Sequence, residues 1–155
     1  MDKQATLLTR RAWFLAVLCV MVGWTAPTAF GQSRETSLQA VLVLASNKDA
    51  PADRSLGGLD PLLRRVLNFK HYEKLGSARA TVKVAGKATL KVGHGNVLTV
   101  DLSDAGGGKV RAAVRWTKGG AGVVNTTVVL SPGTPAVLGG ASHAGGKLVV
   151  ALTAR

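Results

Sequence analysis

The sequence predicts an α+β fold: an antiparallel β-meander, sandwich or open barrel with one amphipathic helix over about residues 59–75. Three observations point there. From Ser77 onward, apolar and polar residues alternate in short runs, the period of strands with one buried face. Those runs break at glycine-rich turns spaced as hairpins. Between Leu59 and Tyr72, apolar residues recur instead every three or four positions, the period of a helix.

Residues 1–31 read as an export signal. Lys3, Arg10 and Arg11 form a positive start, and Trp13 to Trp24 is an apolar stretch. Thr25 to Gly31 then supplies small residues for cleavage near Gly31. The apolar stretch is shorter than the roughly 20 residues that a spanning helix needs. Thr9-Arg10-Arg11-Ala12-Trp13-Phe14 is similar to a twin-arginine signal, although an ordinary positive start is the preferred reading. Leu18 is bulky where a lipoprotein carries a small residue before its cysteine, which argues against a lipid anchor at Cys19. The expected location is the periplasm or the exterior, with membrane association only through an uncleaved signal.

Cleavage there leaves Gln32 to Arg155, 124 residues, without a cysteine. A disulfide, a thiolate metal site and a cysteine nucleophile are thereby excluded from that product. Its length suits one domain, expected over residues 38–155 behind a flexible N-terminus at 32–37. Loss of Asp2, Lys3, Arg10 and Arg11 leaves 17 basic and 7 acidic residues, a net charge of about +10.

Leu38 to Ala45 is a nearly unbroken apolar run of strand length, as in a central strand covered on both faces. Ser46 to Gly58 is a loop rich in polar and turn residues. The helix follows. Asp60 suits an N-cap, Pro61 the first turn and Gly76 the C-terminal stop. Leu59, Leu62, Leu63, Val66, Phe69 and Tyr72 form its apolar stripe, and His71 falls on its last, exposed turn.

The alternating segments are 78–84, 87–92, 96–102, 109–117, 123–130, 136–139 and 147–153. The last of these is expected to pair with the central strand. Alternation turns Ala80, Val82, Val84, Ala88, Leu90, Val92, Val110, Ala112, Val114 and Trp116 toward the core. It turns Lys83, Lys87, Lys91, Arg111 and Arg115 the other way. These five are the candidate binding residues, for an anionic glycan or other polyanion. Surface lysines also solubilise a sheet and blunt its edges, the competing reading of the same pattern. Little aromatic interleaving accompanies the five, and with export this disfavours a nucleic-acid partner.

No residues are assigned to catalysis, a metal or a cofactor. His71, His94 and His143 lack the local spacing of metal ligands. Gly86-Lys87-Ala88-Thr89 and Gly106-Gly107-Gly108-Lys109 lack phosphate-loop spacing and precede strands rather than helices. Asn125-Thr126-Thr127 matches a glycosylation acceptor but falls within a strand. A hydrolase would need His94 or His143 to meet Asp101, Asp104 or Ser142 within hydrogen-bond reach or through one water. The leading expectation is a non-catalytic binding or assembly module of the cell envelope, with an envelope protein or an anionic polymer as partner.

Val124 to Leu130, Ser131-Pro132-Gly133-Thr134-Pro135, Ala136 to Gly140 and Gly146 to Thr153 together are similar to the strand, turn, strand, Gly-Gly and final-strand pattern near the end of secretin channel domains. That resemblance spans about 30 residues. It implies an envelope-associated β module and not a complete channel. The whole chain also resembles short exported bacterial proteins that pair one helix with a β-meander, which implies a compartment and an architecture but no activity.

Overall fold

The apolar run at Leu38 to Ala45 lies in strand β1 (Glu35–Ser46), where side chains on both faces are buried. The computed structural model describes residues 34–155, within one compact unit, Ser33–Arg155. The expected export signal at 1–31 lies outside the described residues. Strand β1 begins inside the stretch expected to be flexible. Thr36 is buried, and the Ser37 and Arg155 backbones exchange hydrogen bonds of 2.7 and 2.9 Å. Ladder partners on both sides order residues whose own polarity carries no such signal.

After a single 3-10 turn at Arg54–Leu56 come helix α1 (Leu59–Val66) and strands β2 (His71–Lys83), β3 (Lys87–Gly93), β4 (Asn96–Gly106), β5 (Lys109–Lys118), β6 (Ala121–Leu130), β7 (Ala136–His143) and β8 (Gly146–Ala154). They form two four-stranded antiparallel sheets. The first has the order β2-β1-β8-β7, the second β3-β4-β5-β6. The packing is that of a sandwich rather than a closed barrel. The expected pairing of the central strand with the last strand is present, Leu38 opposite Ala154 through Ser46 opposite Gly146.

The inner faces of the two sheets meet in one core containing Leu38, Leu42, Leu98, Val100, Val114, Trp116, Leu148 and Leu152. A second core lies outside the first sheet, where Val41, Val43, Ala45 and Val149 meet Leu56, Leu63 and Tyr72. β1 and β8 therefore bury both faces, which explains their continuous apolar sequence. In the second sheet, β3 throughout and β5 as far as Trp116 alternate strictly instead.

The helix is shorter than the periodicity implies. It ends at Val66, Leu67 is extended (φ −123°, ψ 142°), and the chain enters β2 at His71. Phe69 and Tyr72 match a helical stripe, but the free edge of β1 offers a full ladder to the same residues. Tyr72 lies opposite Ala45, and its hydroxyl donates to the Leu67 carbonyl oxygen at 2.8 Å, closing the helix from the sheet. His71, expected on an exposed turn, is buried opposite Ser46. Gly58, not Asp60, precedes the first turn; the Asp60 carboxylate accepts from Arg64 Nε at 2.7 Å. Gly76 is no helix stop. It sits in β2 where β3 passes so close that a Cβ would overlap the Val92 carbonyl oxygen.

Two-residue hairpins join the strands of the second sheet. Gly107 and Gly108 (φ 58° and 78°) and Gly119 and Gly120 (φ 57° and 84°) supply the positive φ at both central positions that a type I′ turn requires. β7 continues to His143 through an irregularity between Gly139 and Ser142, past the expected strand end.

Asp53 fastens the loop below α1 to the sheet. Its carboxylate accepts the Lys74 and Ser55 backbone N–H groups, each at 2.9 Å. These bonds to the charged form lower its pKa from 3.8 to about 2. A depressed pKa contributes stability that is present above about pH 4 and lost as pH falls toward about 2. Urea unfolding at pH 7, 3.5 and 2 checks this. The Asp53→Asn variant is expected to be less stable than wild type at pH 7, with the gap closing at the lowest pH.

Candidate binding face

The second sheet presents one face to the core and leaves the other uncovered among the described residues. On β3, Lys87, Thr89 and Lys91 point outward, and on β5 Lys109, Arg111, Ala113 and Arg115 do so. The registers set these in rows. Thr89, Thr99, Arg115 and Asn125 form one row across the four strands; Lys87, Asp101, Ala113 and Thr127 form the next. Four of the five candidate cations, Lys87, Lys91, Arg111 and Arg115, thus share a face.

Lys83 does not join them. It lies on β2 in the first sheet, opposite Glu35. The chain changes sheet at the Ala85-Gly86 turn, so an alternation that continues in sequence does not continue on one surface. Lys109 replaces it. The alternation that exposes Arg111 and Arg115 extends back to Lys109, which lies one residue ahead of the first position assigned to the core.

The charges on this face differ in availability. Lys87 Nζ lies 3.2 Å from Asp101 Oδ1, with both side chains more than half exposed. Such a pair adds little to stability, but it offsets one cation. Arg111 and Arg115 have no ion-pair partner among the described residues. They are four positions apart, about 13 Å along a strand, and β3 lies two strand spacings from β5, about 9.6 Å. These separations exceed the Debye length of roughly 8 Å at physiological salt. The face therefore suits an extended anion with several charges better than a single small ion.

Near one end of β6, an open depression of about 430 Å³ is lined by Arg115, Gly122, Val123, Val124 and Asn125. Arg115 supplies its positive charge, and Val123 and Val124 its apolar wall.

Asp104 lies far from the histidines that a hydrolase would pair with it, whereas Ser142 adjoins His143 on β7. His143, on β7 in the first sheet, has its Nδ1 2.9 Å from Lys118 Nζ. Lys118 lies opposite Asn96, so His143 and the turn carrying His94 belong to the same end of the sandwich. Asp104 is at the other end of β4, roughly 26 Å of strand from Asn96 at 3.3 Å per residue, and accepts the Gly106 N–H at 3.1 Å in its turn. Asp101 points outward beside Lys87. Among the described residues no three His, Cys, Asp or Glu side chains gather to hold a metal ion. What the geometry provides is guanidinium and ammonium groups on an exposed, hydroxyl-bearing sheet face.

Asp101→Asn should raise the salt concentration at which the protein leaves a heparin column, because Lys87 is then available to the ligand. Stability should change by less than about 0.5 kcal/mol, since the pair is exposed. Salt-gradient chromatography and urea unfolding together check this. No protein-family model, curated protein or solved structure matches the chain.

Proposed function

We propose that this chain is a non-catalytic binding module exported to the cell envelope, which holds an anionic partner against the outer face of its second sheet. The observation that supports this reading is the pair Arg111 and Arg115, exposed and without an ion-pair partner among the described residues, between Lys109 and Lys91 on a face whose rows include one carboxylate, Asp101. A guanidinium presents a planar fork of donors to carboxylate or sulfate oxygens, which an ammonium does not. Export rests on the signal at residues 1–31, and the envelope setting on that signal and on the C-terminal resemblance to secretin strands.

Clustered charge and net charge separate by position. Arg54 and Arg65 lie on the 3-10 turn and on α1, which covers the far side of the first sheet. Reversing both of them changes the net charge as much as reversing Arg111 and Arg115. Wild type is expected to stay on heparin above about 0.3 M salt, where the Debye length is roughly 5–6 Å. The Arg111→Glu, Arg115→Glu double variant should elute near about 0.15 M salt, and the Arg54→Glu, Arg65→Glu control close to wild type. An equal fall in both variants would reject the face as the site.

A further inference from the structure

The edges of the two sheets are not treated alike. On one flank β3 carries Lys87 and Lys91, and β2 lies against it so closely that Gly76 has no room for a side chain. On the other flank, β7 is interrupted between Gly139 and Ser142. β6 is less protected: its one irregularity is confined to its start, where Gly122 and Val124 face Thr117 and Trp116, and β7 approaches it over a shorter stretch than β2 approaches β3. It is the last strand of the second sheet and pairs with β5 alone. No backbone hydrogen bond outside that ladder involves residues 121–130 among the described residues. Its ten residues, Ala121 to Leu130, include no charge and no proline. From Val124 to Leu130 the register is regular, and Val124, Thr126, Thr127, Val128 and Val129 are β-branched. Sheet proteins commonly blunt such an edge with lysine, proline or a bulge, because its unpaired N–H and C=O groups template another strand.

We propose that β6 is an acceptor edge, and that its occupant is an extended acidic segment of a partner protein that joins the second sheet as a fifth strand. The inference rests on the reading of the cationic face above and names the partner that face receives. The acidic character follows from the register. Asn125 and Val129 point outward opposite Arg115 and Arg111. An added strand places its own outward side chains two strand spacings from β5, about 9.6 Å. A glutamate from one side and an arginine from the other span that gap above Asn125 or Val129. The depression lined by Arg115, Val123 and Val124 at the end of the edge receives a carboxylate beside an apolar group. A second copy of the chain fits less well, because pairing β6 with β6 extends one cationic face with another. Main-chain bonds then supply affinity and alternate side chains supply specificity, as in other strand-addition complexes.

The test uses the compact unit Ser33–Arg155, whose two cores are built entirely from its own residues. Three capped eight-residue probes are compared by fluorescence anisotropy: alternating valine and glutamate, alternating valine and lysine, and a proline-interrupted glutamate peptide of equal charge. Amide hydrogen exchange is followed at residues 124–130. The valine–glutamate probe is expected to bind about tenfold more tightly than the proline-interrupted one, to slow exchange along β6, and to lose about tenfold in affinity with Arg115→Glu. Circular dichroism of the variant is compared with wild type, and an unchanged spectrum is expected for this exposed substitution. Equal binding of both glutamate probes without protection of β6 would overturn strand addition while leaving the anionic-face reading in place. Equal binding of the lysine probe would overturn the acidic partner. Protection of β6 that rises with protein concentration, without peptide, would make a second copy the occupant. Failure to bind the probes together with failure to bind heparin would remove both readings.

Discussion

The indole of Trp116 joins the two sheets, and the direction of the cationic face depends on it. Trp116 is fully buried on β5, with its Nε1 donating to Asn96 Oδ1 at 3.0 Å. Asn96 in turn donates from Nδ2 to the Gly93 and His94 carbonyl oxygens, each at 3.1 Å, and so ties the β3–β4 turn to the indole. Above the ring, Gly140 of β7 lies so close that a Cβ would overlap it. A buried indole needs a partner for its N–H and space for its body. Asn96 provides the first and Gly140 the second. Side chains alternate along a strand, so fixing Trp116 inward fixes Arg115 and Arg111 outward.

The two sheets divide the work. The first is buried on both sides of β1 and β8, by the sandwich core on one face and by Leu56, Leu63 and Tyr72 on the other. The second keeps one face free, and there the cations, the hydroxyl side chains of Thr89, Thr99 and Thr127, and the uncharged edge of β6 come together. Asp53 and Tyr72 serve the first sheet. Asp53 holds the loop to β2, and the Tyr72 hydroxyl closes the end of α1. Neither is part of the cationic face.

Much of this was legible in the sequence, where local chemistry and tertiary structure agree. The double-sided burial of β1, the glycine hairpins, the inward Trp116 and the outward Lys87, Lys91, Arg111 and Arg115 all follow from periodicity. The errors arise where a tertiary partner outweighs a local signal. Phe69 and Tyr72 satisfy the spacing of a helix to about residue 75, but pairing with β1 draws residues from His71 onward into a strand. Gly76 has the position of a helix stop and is instead a point of close backbone approach. Lys83 satisfies the alternation yet lies in the other sheet. The edge position of β6 could not be read locally, because a strand is an edge only by virtue of the neighbours it lacks.

Trp116, enclosed between the sheets beneath Gly140, orients the cationic face. In Ser33–Arg155 it is the only tryptophan, since Trp13 and Trp24 precede that unit. Its fluorescence with and without iodide, in wild type and in Gly140→Val, is the most direct measurement. Wild type is expected to show blue-shifted emission that iodide does not quench. The variant is expected to show red-shifted, quenchable emission, with a loss of about 1–3 kcal/mol from overpacking. Wild-type emission that iodide quenches freely, or a Gly140→Val protein indistinguishable from wild type, would contradict the enclosure of Trp116.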